Sequence, residues 1–150
     1  TVSAEQFKEW RGRQHDAGQF TDEEAAELKS SVILPFLHSA LAARMAAADA
    51  LGLLRREQPF VMGIDADRVS KEYPADETVL IQGIIDAFFI EDGKIVIVDY
   101  KTDHVKTPEE LTKRYRIQLD YYGEALGNML KMEVGAKILW SFALEKEIML

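Results

Sequence analysis

Asp99 and Lys101, in the run KIVIVDYKTD (residues 94–103), are the pair in this sequence best placed to do chemistry. Ile95 to Val98 are β-formers, and alternate residues of a strand share a face, so Asp99 and Lys101 project together while Tyr100 points away. A second carboxylate, Asp86, lies in the apolar run TVLIQGIIDAFFI (78–90). Asp92-Gly93 between the two runs predicts a tight turn and hence a hairpin. A ladder centred on that turn pairs residue i with about 185 − i, which sets Asp86 opposite Asp99 with Lys101 alongside.

Like charges directly across a strand pair are destabilising, and burial makes them worse. A divalent cation is the simplest remedy, because carboxylate oxygens are what Mg²⁺ and Mn²⁺ prefer. Such an ion acidifies a bound water and neutralises a phosphoryl group, and a neighbouring lysine can orient that water or stabilise the transition state. The expected reaction is phosphodiester hydrolysis.

Periodicity supplies the elements that must hold these groups. Ser3 with Gln6 and Thr21 with Glu24 have capping-box spacing and start two helices, the first running until Gly18. After SSVILPF, the alanine-rich stretch from Leu37 to Leu54 reads as a further helix. REQPFVMGI (56–64) and residues 78–90 read as strands, with a polar loop or hairpin between them. Thr107-Pro108-Glu109-Glu110 opens a helix, with Thr107 as N-cap and Glu110 completing a box, that extends to Leu130; AKILWSFALE (136–145) reads as a last strand. The expected organisation is an N-terminal helical segment, 1–54, packed on an α/β core, 55–150.

Composition narrows the function classes. The 150 residues are 47% hydrophobic and 29% charged, enough for one real core, and no stretch is as apolar as a membrane span. Without cysteine there is no disulfide and no thiolate metal site, which favours carboxylate, His and Lys chemistry and a hard cation over zinc. No targeting pattern directs the chain out of the cytoplasm. A start without Met, in polar text, predicts a fragment of something longer. The net charge of −8 speaks against a free-standing DNA-binding face, unless neighbouring domains hold the nucleic acid and some of the acids bind cations.

Taken in order, GIIDAFF, IVIVDYKTD and YRIQLDYYGEAL resemble the motif series of the PD-(D/E)XK nuclease superfamily in its RecB-type branch, where REQPF text also precedes the acidic motifs. Within that branch they look most like the nuclease domains of AddA-type (RexA-type) helicase/nucleases. The resemblance is clear over residues 55–145 and weak before them. It implies a restriction-endonuclease-like fold, a mixed central sheet flanked by helices. It also implies that Asp86, Asp99 and the carbonyl of Tyr100 bind Mg²⁺, with Mn²⁺ as a substitute, and that Lys101 is the catalytic lysine. Gln118 and Tyr122 match a Gln-x-x-x-Tyr helix motif on one face, and Glu57 matches a strand glutamate that supports the site from behind. The implied partners are DNA, as a single strand delivered by a helicase, and an AddB-like (RexB-like) second subunit; ATP belongs to the helicase part, and no membrane is involved. The implied process is the trimming of double-strand break ends for recombinational repair. Competing readings are another RecB-like nuclease, or a nuclease fold retained without catalysis as a structural or DNA-guiding module. Intact Asp86, Asp99 and Lys101 speak against the latter, and the lack of cysteine excludes versions with cysteine-bound iron–sulfur clusters.

One departure stands out. The branch usually supplies a histidine ligand from a Gly-x-x-x-His helix, and neither His15 nor His38 lies in such a motif. The expectation is that this histidine lies upstream of Thr1 and that the isolated fragment has reduced activity or none. Lys106, Lys113, Arg114 and Arg116 form a basic cluster suited to a DNA backbone, although a solvated helical face explains them equally well. His104 reads first as a solvated loop residue.

Overall fold

The computed structural model of the protein describes residues 2–74 and 76–150; Ala75, in the expected polar loop, lies outside them. Four helices come first: α1 (Ala4–Asp16), α2 (Asp22–Glu27), α3 (Ser30–Leu37) and α4 (Ala40–Ala50). Both predicted capping boxes are present, Ser3 with Gln6 and Thr21 with Glu24. The single alanine-rich helix expected over 37–54 is two elements instead. Ser39 breaks the run by accepting a hydrogen bond from the Ala42 N–H as a new N-cap, and SSVILPF, unassigned from sequence, forms α3. Pro35 lies inside α3 and removes a backbone donor, and the helix ends two residues later.

The remainder runs β1 (Leu54–Asp65), a 3-10 turn (Ala66–Arg68), β2 (Thr78–Glu91), β3 (Lys94–Lys101), α5 (Pro108–Leu130), β4 (Val134–Ser141) and β5 (Lys146–Met149). The five strands form one sheet in chain order, with β3 and β4 parallel through the α5 crossover and the other neighbours antiparallel. The last strand expected over 136–145 is thus the first half of a hairpin. Its turn carries no Gly, Pro or Asn; the Ser141 hydroxyl accepts from the Leu144 N–H, and Glu145 takes a left-handed φ of 52°. At α5, Thr107 is the N-cap and Pro108 the first residue, but Thr107 makes no capping hydrogen bond, and Glu110 reaches past it to the Lys106 N–H.

Strand alternation splits the core between the two sheet faces. Ile95 and Ile97 of β3 meet Leu111, Leu119 and Leu126 of α5, while Val96 and Val98 meet Leu41 and Met45 of α4. Arg44 of α4 grips Glu91 with two hydrogen bonds, 2.9 and 2.6 Å, tying that helix to the end of β2. No single helix among the described residues is long and apolar enough to cross a membrane.

The β2–β3 hairpin that sets the candidate chemistry turns on Asp92 (φ 50°) and Gly93 (φ 74°), the left-handed pair of a two-residue turn. A Cβ at Gly93 would meet nothing within 4 Å. Gly93→Ala therefore probes backbone strain alone, with an expected cost of about 1–2 kcal/mol. In thermal unfolding this lowers Tm by about 3–6 °C; an unchanged Tm would mean that this turn does not set the hairpin.

Candidate active site

The hairpin pairs residues whose numbers sum to 185, from Glu91 with Lys94 to Ala87 with Val98. Asp86 and Asp99 stand one step past that last rung, opposite each other as the Asp-Gly turn predicts. There the ladder opens. The Tyr100 N–H donates not to β2 backbone but to the Asp86 carboxylate, at 2.8 Å from Oδ2.

The neighbouring strand explains how Asp86 reaches sideways. β1 and β2 pair on both sides of this level, Arg56 with Ala87 and Gln58 with Ile85, but Glu57 and Asp86 form no rung, and Glu57 has a φ of 52°. In-out alternation slips at that point in both strands. Leu54 and Ala87 join the α4-side core, whereas Phe60 and Ile85, of the same parity, join the α5-side core. Asp86 is freed from the alternation and lies along the sheet toward β3. With Arg56, Glu57 and Tyr100 it lines an open cleft.

Asp99 and Lys101 share the face under α5. Asp99 is 2% exposed, and the Lys101 ammonium, itself on a side chain only 14% exposed, stands 2.6 Å from Oδ2. The contact lacks the direction of a hydrogen bond, so this buried oxygen has a counter-charge but no hydrogen-bond donor. Burial raises the Asp99 pKa, Lys101 pulls the other way, and the Asp86 charge adds to the rise.

From α5, Gln118 accepts from the Lys101 ammonium through Oε1 at 3.2 Å and donates through Nε2 to the Tyr122 hydroxyl at 2.8 Å. That hydroxyl donates to the Ile84 carbonyl at 3.2 Å, closing a chain back to β2. Burial raises the Tyr122 pKa, and the charges of Asp99 and Asp86 raise it further, so both carboxylates act on the same phenol. Asp86, Asp99, Tyr100, Lys101, Gln118 and Tyr122 thus come together.

The remaining expected residues are placed differently. Glu57 is exposed at the mouth of the cleft, with no hydrogen bond to the group. Lys113 and Arg116 lie on the exposed side of α5, well round the helix from Gln118; Lys106 is exposed, and Arg114 is paired with Asp103. His15 binds Asp22, His38 binds the Val2 carbonyl, and His104 is exposed. Sequence reasoning missed Tyr115, whose ring centre is 4.0 Å from the Lys101 ammonium, and Asp103, whose two oxygens each lie 2.9 Å from the Tyr115 hydroxyl. The available signal was helical spacing, since Tyr115 precedes Gln118 by three.

The oxygens suit a hard cation. A strand residue directs its N–H and C=O toward the same neighbour. The Tyr100 N–H faces Asp86, and the next carbonyl, that of Lys101, accepts from Phe142 N on the opposite side. The Tyr100 carbonyl is therefore turned toward β2, between the carboxylates of Asp86 and Asp99. Among the described residues no group of three His, Asp or Glu side chains gathers to hold a metal ion, so the donor set is two carboxylates and one carbonyl. That leaves room for the waters Mg²⁺ retains.

Comparison with known proteins agrees with this geometry. Residues 3–148 match the model of the PD-(D/E)XK nuclease superfamily. The chain is 36% identical over 145 residues to an ATP-dependent helicase/nuclease subunit of Clostridium kluyveri, covering 94% of this chain and 12% of that protein. The same-named protein of Lachnoclostridium phytofermentans is 34% identical over 177 residues, covering 95% and 13%, and that of Clostridium botulinum strain Alaska E43 is 36% identical over 149 residues, covering 97% and 12%. The chain thus spans about an eighth of the length of the curated relatives it matches. With the family model covering nearly all of the chain and the acidic hairpin, lysine and Gln-x-x-x-Tyr helix gathered at one place, the chain belongs to the PD-(D/E)XK nuclease superfamily.

Proposed function

We propose that this chain carries the Mg²⁺-dependent deoxyribonuclease site of an AddA-type helicase/nuclease, acting as an exonuclease on a single strand of DNA. In hydrolysis a water oxygen bonds to phosphorus, the bond to the departing deoxyribose oxygen breaks, and one proton of the water ends on that oxygen. Asp86, Asp99 and the Tyr100 carbonyl are the residues that would hold Mg²⁺, or Mn²⁺ in its place. Bound there, the ion supplies charge neutralisation at the phosphoryl oxygens and a more acidic water. Lys101 sets a positive charge beside the carboxylates, where a pentavalent phosphorus gathers negative charge. Gln118 and Tyr122 fix that ammonium from the helix side, and Glu57 borders the approach to Asp86. Lys106, Lys113, Arg114 and Arg116 are proposed contacts for the DNA backbone.

The observation that carries the reading is the interrupted hairpin. Two carboxylates face each other past the last rung, and beside one of them stands a nearly buried lysine. The relatives' name supports the wider setting, in which ATP-driven motor domains unwind break ends in the cytoplasm, an AddB-like partner completes the complex, and threading delivers substrate to an acidic module.

The test is metal removal from the full-length protein. Cleavage of end-labelled single-stranded DNA should fall to background in EDTA and return with Mg²⁺ or Mn²⁺. Mn²⁺ binding, followed by electron paramagnetic resonance, should weaken by about 10–100-fold in Asp86→Asn. Cleavage that persists in EDTA would refute the reading.

A further inference from the structure

We infer that Tyr115 is a positioning residue for Lys101, holding the ammonium in place when the Asp99 carboxylate is engaged elsewhere; the inference rests on the nuclease reading above. A lysine on a strand has a fixed Cα but a flexible four-carbon stem, so the place of its charge is set by what surrounds the tip. Three neighbours do so here: Asp99 Oδ2 at 2.6 Å, Gln118 Oε1 at 3.2 Å and the face of the Tyr115 ring at 4.0 Å from its centre.

These neighbours are not equivalent. Asp99 is also a proposed ligand, and an oxygen given to a cation is a weaker partner for the ammonium. Gln118 and Tyr115 belong to α5 and stay where they are. An aromatic face attracts a cation without an acceptor lone pair, so it retains the ammonium while leaving its protons available to a substrate oxygen.

The ring is itself fixed from behind. Its hydroxyl lies 2.9 Å from both oxygens of Asp103, two residues beyond Lys101, and Arg114, adjacent on α5, pairs with the same carboxylate. The Tyr115 hydroxyl and the Arg114 guanidinium hold the Asp103 carboxyl below its usual pKa, so the anchor remains charged. Arg114, Asp103 and Tyr115 therefore form a brace from the end of β3 to α5, with the ammonium resting on its inner side.

The test compares Tyr115→Leu, Tyr115→Phe and Asp99→Asn in the full-length protein, with kcat and KM measured on single-stranded DNA and Mn²⁺ affinity measured separately. Tyr115→Leu should lower kcat about tenfold with KM and Mn²⁺ affinity within about twofold of the parent. Tyr115→Phe keeps the ring and should recover most of that loss, to within about threefold of the parent. The inference is overturned if Tyr115→Leu keeps the parental kcat, if it raises KM instead, or if Tyr115→Phe is as impaired as Tyr115→Leu. Should the leucine variant fail to fold, the phenylalanine variant decides, and a loss beyond about tenfold there also overturns it. Loss of cleavage in Asp99→Asn, with any of those results, leaves the nuclease reading standing; retained cleavage in Asp99→Asn refutes that reading itself.

Discussion

Asp99→Asn is expected to lower DNA cleavage about a thousandfold while leaving the fold at least as stable as before. The replacement keeps the shape of the side chain and an oxygen beside Lys101, but removes the negative charge. For the metal-free protein that removal is a relief. Asp99 is 2% exposed and its Oδ2 has no hydrogen-bond donor, and burial raises its pKa. An acid whose folded pKa is raised contributes stability that is fully present below its unfolded value of 3.8 and is lost as pH rises through the folded value. At neutral pH the ionised group therefore opposes folding, and the variant should gain about 1 kcal/mol in denaturant titration without added metal. A variant that cleaves within tenfold of the parent would remove Asp99 from the chemistry, and one that unfolds several degrees early would make its role structural.

Lys101→Ala should have the opposite effect on stability and the same effect on cleavage. Deleting one partner of a buried pair leaves the other uncompensated, a change worth about 3–5 kcal/mol. The cost has a ceiling, because Asp99 can take up a proton. Neutralising it costs at most about 1.6 kcal/mol at pH 5 and about 6 kcal/mol at pH 8, measured from its unfolded value of 3.8. Urea unfolding at the two pH values should therefore show a deficit that grows by about 2–3 kcal/mol from the acidic to the alkaline condition. A deficit independent of pH would mean that the lysine contributes packing alone. Assays of lysine variants are best run at low temperature, where loss of fold is not mistaken for loss of chemistry.

The parts of this protein legible from sequence were those set by short-range rules. Asp92-Gly93 determined the hairpin register, and with it the opposition of Asp86 and Asp99, because a two-residue turn leaves no freedom in which residues pair. The four-residue spacing of Gln118 and Tyr122 put both on one side of α5, and Ser3 and Thr21 marked two helix starts by their capping partners. What escaped depended on tertiary context. Pro35 reads as a breaker yet lies inside α3, and the β4–β5 turn takes a left-handed Glu145 where Gly or Asn is the usual choice. Glu57 adopts the same backbone with equally little warning, so the slip that frees Asp86 was invisible. The link from Asp103 through Tyr115 to Lys101 joins two elements whose approach no local pattern encodes. The departure at the histidine stands: neither His15 nor His38 is engaged with the acidic pair.

The bond from the Tyr100 amide to Asp86 has a consequence for how the molecule can evolve. β2 and β3 are both long enough to close another rung, joining Ile85 to Tyr100, and regular pairing would favour that closure. The carboxylate intercepts the amide and keeps the zipper from shutting. A mutation that lets it shut would yield a tidier sheet and a sealed one, so selection for rigidity and selection for turnover pull on this single amide in opposite directions.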